Sequence, residues 1–287
     1  MIRTSRRKGR RCGSTATLLA AVALGTCVGL GLQSCTQPPP SASGGPPSAS
    51  GYFGLLPVGS YASLPSDSRA AAEVHRSPWE PRPGNARYNH TTPPYLVLRR
   101  PDPAARAYDP RWGTYILGRL TGHFTGTTDE IFQWAALKWG LPDNLIRAIA
   151  YVESNWHQSN YGDFVDDPAL CPAGYRRLPC PVTFGIVGTK STSWPGLFPW
   201  NSYSTAAAVE ALGGWLRGCY EGWVWWLGNQ RNRSSPEYRA GDIWGCVGAW
   251  YSGKWLDGTA SVQGTGENYI SKVRYWYNVR PWLRLGF

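Results

Sequence analysis

No internal repeat runs through these 287 residues, which excludes solenoid and propeller arrays. No Cys-x-x-Cys pair is present either. The last four of the seven cysteines are spaced by nine, 39 and 27 positions, which argues against a structural zinc. The four histidines, His75, His90, His123 and His157, have no ligand spacing, so neither metal nor other cofactor is expected. Lys and Arg form no dense helical run or recognition motif, which argues against a nucleic-acid binder. No serine sits in a nucleophile elbow. Ser154 with His157 also has no evident orienting acid, which argues against a serine nucleophile. Acidic residues are absent before Cys35, and between 36 and 66 there is no charge of either sign.

These gaps define the N-terminal region. Arg3, Arg6, Arg7, Lys8, Arg10 and Arg11 precede an uncharged run from Ser14 to Ser34, so residues 1–35 read as an export signal. An uncleaved membrane anchor is the competing reading, because the run is just long enough to span a bilayer. Leu32-Gln-Ser-Cys35 resembles the bacterial lipobox, which implies lipidation of Cys35 and a membrane-anchored or wall-secreted extracytoplasmic protein. Removal of the six signal residues lowers the formal charge from +11 to +5, a mildly basic surface suited to anionic wall polymers. Residues 36–66 are dominated by Pro, Ser, Gly and Ala, and 67–110 stay rich in Pro and Arg. The whole of 36–110 is therefore expected to be a largely disordered linker, with Tyr95-Leu-Val-Leu98 lying on the domain. Extended at ~3.1 Å per residue, its uncharged part would span roughly 100 Å.

Cys12 and Cys27 fall in the signal and Cys35 at its boundary. The remaining four, Cys171, Cys180, Cys219 and Cys246, allow three pairings in an oxidising compartment. Cys171–Cys180, closing a short loop, and Cys219–Cys246, linking neighbouring helices, are the favoured pair.

From about residue 111 to 287 the texture is that of one mainly α domain, expected to be monomeric. Thr127-Thr-Asp-Glu130 is a capping box before Ile131–Trp139, and Gly140 ends that helix. Pro142 opens the next, in which Leu145, Ile146, Ile149 and Val152 form a buried stripe and Glu153 follows directly. A carboxylate at the end of a buried helix is partly desolvated yet can reach a cleft, the setting of a general acid. An exposed helix-end glutamate is the plainer alternative. Residues 157–200 read as loop with a hairpin near 182–187. Ser204 caps a helix over 205–220, Ser235-Pro236 opens one ending near Gly253, and Thr265 begins the last, ending near Arg280.

The order Gly140-Leu-Pro, apolar helix, Glu153-Ser154, then Phe184-Gly-Ile-Val187 resembles the soluble lytic transglycosylase domain of the lysozyme-like superfamily. Gly245-Cys-Val-Gly-Ala-Trp-Tyr-Ser-Gly253 resembles that family's Ala-Tyr-Asn-Ala-Gly segment. Glu267-Asn-Tyr-Ile-Ser-Lys-Val273 resembles its closing Tyr-x-x-x-Val segment. The resemblance covers roughly 120–280. It implies a peptidoglycan-cleaving enzyme with Glu153 as catalytic acid and base. Ser154, Phe184, Gly185, Ile186, Val187, Trp250, Tyr251 and Tyr269 would line the glycan cleft.

Three features depart from the family pattern. Gly188 stands where a glutamine is usual, Trp250-Tyr251 replaces Tyr-Asn, and the stretch from Glu153 to Gly185 is longer, with Cys171–Cys180 as the expected staple. Tyr251 is a candidate for the displaced hydroxyl. Two alternatives follow: a muramidase-type hydrolase, and a non-catalytic wall-binding or assembly protein. A second carboxylate could come from Asp163, Asp166 or Asp167, for which turn solvation is the favoured reading. Of the sixteen tryptophans, Trp223, Trp225, Trp226, Trp244 and Trp255 are expected mostly in the core, and Trp250 in the cleft.

Overall fold

The structure, a computed structural model, describes residues 44–99, 107–228, 237–255, 265–284 and 286–287. The expected signal, Cys35 and the first part of the linker lie outside these residues. The helices are α1 (Asp67–Ala72), α2 (Ala86–Asn89), α3 (Arg111–Tyr115), α4 (Thr128–Trp139), α5 (Asp143–Ser154), α6 (Trp200–Tyr203), α7 (Thr205–Tyr220), α8 (Ile243–Ser252) and α9 (Thr265–Val279). Strands β1 (Tyr161–Val165), β2 (Cys180–Phe184) and β3 (Thr189–Lys190) make one antiparallel sheet in the order β1-β2-β3. The protein is mainly α. Among the described residues, no helix is long and apolar enough to cross a membrane.

Helix α7 is the axis of the core, with every residue buried, and it packs against α4, α6 and α8. Ser204 caps it by accepting from the Ala207 N–H. Its interior glycines have a packing reason: a Cβ on Gly213 would run into the Trp139 indole, and one on Gly218 into Trp112. Helix α4 begins with the full capping box between Thr127 and Glu130 and ends on left-handed Gly140. Helix α5 packs on α4 and α9, burying Leu145, Ile146 and Ile149 with Val152 at the edge. Asn155 and Trp156 then both take positive φ, which reverses the chain just after Glu153. Trp156 is buried and donates its indole N–H to the Arg147 carbonyl at 2.9 Å, anchoring that reversal.

Two disulfides are present, Cys171–Cys180 and Cys219–Cys246. The second ties α7 to α8; the first closes the loop between β1 and β2. The hairpin near 182–187 is present but longer in reach: β2 turns through Gly185–Gly188 into β3, and β1 adds a third strand within the stretch expected to be loop. Helix α8 opens later than expected, on Asp242, whose side chain accepts from the Gly245 N–H. Ser235 and Pro236 lie outside the described residues.

The largest correction concerns the linker. Residues 44–99 form an ordered belt on the helical body, with Leu64, Ala70, Val74, Asn85 and Asn89 buried. Backbone donors in the belt are met by remote side chains. Asp143 accepts from Tyr52 and Phe53, Glu130 from Ser77, and Glu221 from Gly59. Each such bond satisfies a polar group that burial would otherwise penalise. Low hydrophobicity is a poor guide because carboxylates on α4, α5 and the end of α7 meet the belt's backbone donors while a few scattered apolar residues, Leu64, Ala70 and Val74 among them, reach the core. Leu96 and Leu98 do pack on the core, while Tyr95 and Val97 face solvent.

Candidate functional site

A cleft of about 750 Å³ is lined by residues from the end of α5, all three strands, the 192–194 segment, α7 and α8. Its walls combine aromatic surface from Trp194, Trp215, Trp226, Trp250 and Tyr251 with polar groups from Asn160, Thr183, Thr192 and Ser193. Glu153 lies in this lining. The residue keeps an edge on the cleft while its carboxyl is packed deeply, and burial pushes its pKa up to about 7. The Tyr269 hydroxyl donates to Oε1 and opposes that rise, while the negative charge of Asp163 reinforces it. Among the described residues no Lys or Arg pairs with Glu153. A carboxyl so placed is about half protonated at neutral pH and can donate a proton.

Tyr269 is itself almost fully buried, beneath the exposed ring of Tyr251, with ring centroids 4.5 Å apart and planes 7° from parallel. The hydroxyl beside the carboxyl therefore comes from Tyr269 on α9, and the contribution of Tyr251 is an aromatic wall. Gly188 lies on the other side of the carboxyl. A Cβ there would stand 2.6 Å from Glu153 Oε2, and its φ of 62° already disfavours a side chain. Glycine at this position makes room for the carboxyl.

Six residues expected to line the cleft are not in its lining, Tyr269 beneath Tyr251 among them. Phe184, Ile186 and Val187 are buried, at 2%, 0% and 0% exposure, because the last β2 residue and the turn point their apolar groups into the core. Phe184 packs against Phe198 at 5.0 Å between ring centroids. Gly185 serves the turn: at φ 81° its Cα faces the Asn201 carbonyl, with no space for a Cβ. Ser154 is likewise not in the lining. Its hydroxyl donates to the carbonyls of Ala150 and Ile186, the latter at 2.7 Å, and so ties α5 to the turn that carries Gly188. The His157 ring meets the Ser154 carbonyl through Nδ1 at 2.9 Å, and only the His157 backbone N–H, not its ring, reaches the Ser154 hydroxyl oxygen, at 3.1 Å. Trp250 and Tyr251 line the cleft as expected.

Other residues complete the site. Asn160 donates to the Glu153 carbonyl at 3.2 Å and lines the cleft. Asp163, considered as a turn residue, is in the lining with φ 48°, whereas Asp167 caps a short 3-10 turn through the Ala169 N–H at 2.9 Å. Lys190, Trp194, Trp215 and Trp226 also line it. Trp223 and Trp255 are core residues; Trp225 is exposed; Trp244 packs edge-on to Tyr277. Among the described residues no group of three or more His, Cys, Asp or Glu is placed to hold a metal ion.

No family model matches the chain, and no curated protein or solved structure matches it either.

Proposed function

We propose that the protein is a lysozyme-like glycan-cleaving enzyme, a lytic transglycosylase acting on the bond between N-acetylmuramic acid and N-acetylglucosamine in peptidoglycan. The observation that carries this reading is Glu153: a deeply packed carboxyl without a cationic partner, its pKa raised to about 7, facing an aromatic and hydroxyl-lined cleft. Most glycosidases divide acid and base or nucleophile between two carboxylates. Here one carboxylate can serve twice. Protonated Glu153 gives its proton to the glycosidic oxygen as the C1–O bond breaks, and the leaving sugar departs as an alcohol. The Glu153 carboxylate then takes the proton from the muramyl 6-hydroxyl, whose oxygen bonds to C1. That closes the 1,6-anhydro ring and restores the acid.

Tyr269 would hold the carboxyl in one rotamer through both steps, and Gly188 would leave its second oxygen open. Trp250, Tyr251 and Trp215 offer ring faces against which sugars stack. Export to the cell wall, with a lipid on Cys35 and peptidoglycan strands as partner, belongs to the same proposal.

Asp163 favours a second reading. It lines the same cleft and its charge acts on Glu153, so a water held by Asp163 could replace the 6-hydroxyl and give a hydrolase. Incubation with purified sacculi followed by product mass spectrometry separates the two. Transglycosylation gives anhydro ends lighter by one water, and hydrolysis gives reducing ends. Release of no fragments by the intact protein would refute both.

A further inference from the structure

The sheet under the cleft carries a charge that neutral sugars do not need. Gly162 pairs with Thr183, and Thr183 pairs with Lys190, so these three residues form one row across β1, β2 and β3. All three line the cleft. The row rises from no side chain, through a short hydroxyl, to a long cation at the β3 edge. Neighbouring strands are roughly 4.8 Å apart, which sets the Lys190 backbone roughly 10 Å from that of Gly162. Lys190 is exposed and has no ion-pair or side-chain hydrogen-bond partner among the described residues. The Ser193 N–H donates to the Lys190 carbonyl at 3.1 Å. That turn keeps Thr192 and Ser193, both exposed and both in the cleft lining, beside it.

An ammonium and two hydroxyl side chains from one turn, all in the same cleft lining, offer a carboxylate a point charge and two hydrogen-bond donors. Every other charged residue in the lining, Glu153 and Asp163, is acidic. Asp163, on β1, carries the opposite charge to Lys190, so a carboxylate entering the cleft is drawn to Lys190 on β3 and turned away from Asp163. We propose that Lys190, with Thr192 and Ser193, is a specificity site that reads a carboxylate on the glycan strand and sets which sugar lies over Glu153. This rests on the glycan-cleaving reading above. The carboxylate has two sources: the peptide stem of an intact strand, or the lactyl group of the muramyl sugar once the stem is removed.

The test uses the Glu153→Gln protein, so that binding is read without turnover, with and without Lys190→Met and Lys190→Arg. Affinity is measured for stem-bearing glycan strands, for stem-free strands, and for chito-oligosaccharide, which has no carboxylate. Lys190→Met is expected to weaken binding about fivefold on at least one carboxylate-bearing strand, the size of an exposed charged pair. Chito-oligosaccharide should shift by less than twofold, and Lys190→Arg should restore most of the loss. Loss on stem-bearing strands alone assigns the stem carboxylate, and loss on stem-free strands alone assigns the lactyl group. Equal loss on all three ligands, or loss on none, overturns the proposal. Failure of the Glu153 protein to release fragments from sacculi would refute the enzymatic reading and leave this binding result standing on its own.

Discussion

Glu210 and Glu153 are both acids on long helices with their carboxyls withdrawn from water, and their surroundings are opposite. Burial raises the pKa of Glu210, on α7, but the Lys138 ammonium and the backbone N–H of Gly122 oppose that rise, and the Thr121 N–H also donates to the carboxyl. Asp129 and Asp143 converge in the same way on the fully buried Arg147, and Glu221 on Arg217. Glu153 has only a neutral hydroxyl donor and a second acid nearby. The helical body thus neutralises its buried acids with cations, and the cleft leaves one acid to neutralise itself by taking a proton. That difference separates scaffold from chemistry more sharply than burial does.

The contrast can be broken at either end. Arg147→Met leaves Asp129 and Asp143 buried without their cation and should cost about 3–5 kcal/mol in denaturant unfolding. An unchanged midpoint would mean that these acids are not held as ions.

Glu153→Gln should behave in the opposite sense. A carboxyl whose pKa is near 7 when folded and 4.5 when unfolded opposes folding as it ionises. The penalty is absent below about pH 4.5, grows from there to about pH 7 and is constant above, so at pH 8 the variant should be about 3 kcal/mol more stable than the parent. Fragment release from sacculi should vanish in the same protein. Loss of activity accompanied by loss of stability at pH 8 would place Glu153 with the scaffold acids.

The disulfides sharpen the comparison at the level of whole elements. Losing Cys219–Cys246, which spans 27 positions, should cost about 3.5 kcal/mol, and losing Cys171–Cys180, which spans nine, about 2.5 kcal/mol. Thermal unfolding of the Cys→Ser pairs checks both. The second change should also reduce fragment release more than its stability loss explains, because Cys180 begins the strand that carries Thr183 and leads to Gly188.

Tyr269→Phe is the smallest change. Removing the hydroxyl should cost about 1 kcal/mol of stability. It should also move the Glu153 titration further upward, because that hydrogen bond favours the ionised form. The alkaline limb of the pH–activity profile should then shift to higher pH. A shift to lower pH would show that Tyr269 does not stabilise the carboxylate.

Local signals in the chain proved legible. Thr127 with Glu130, Gly140, Ser204 and Gly253 mark helix ends through caps that involve residues close in sequence. Glu153 was legible for the same reason, as the end of an apolar stripe on α5. The belt over 44–99 was not, because its hydrogen-bond partners are as far away as the 231 positions between Ala49 and Arg280. In the cleft, Phe184, Ile186 and Val187 look like a binding loop by composition, yet the strand and turn geometry turns all three inward. Lys190 became meaningful only when the pairing Gly162–Thr183–Lys190 set it across from β1. Cross-strand neighbours have no fixed spacing in a chain, so that row is visible only in the fold.

The central claim is that Glu153 stays protonated until the pH approaches neutrality. The side-chain carboxyl carbon of Glu153, followed by NMR through a pH titration of the folded protein and assigned by its absence in Glu153→Gln, reads this directly. A midpoint at about 7 is expected. A midpoint near the ordinary 4.5 would contradict the account.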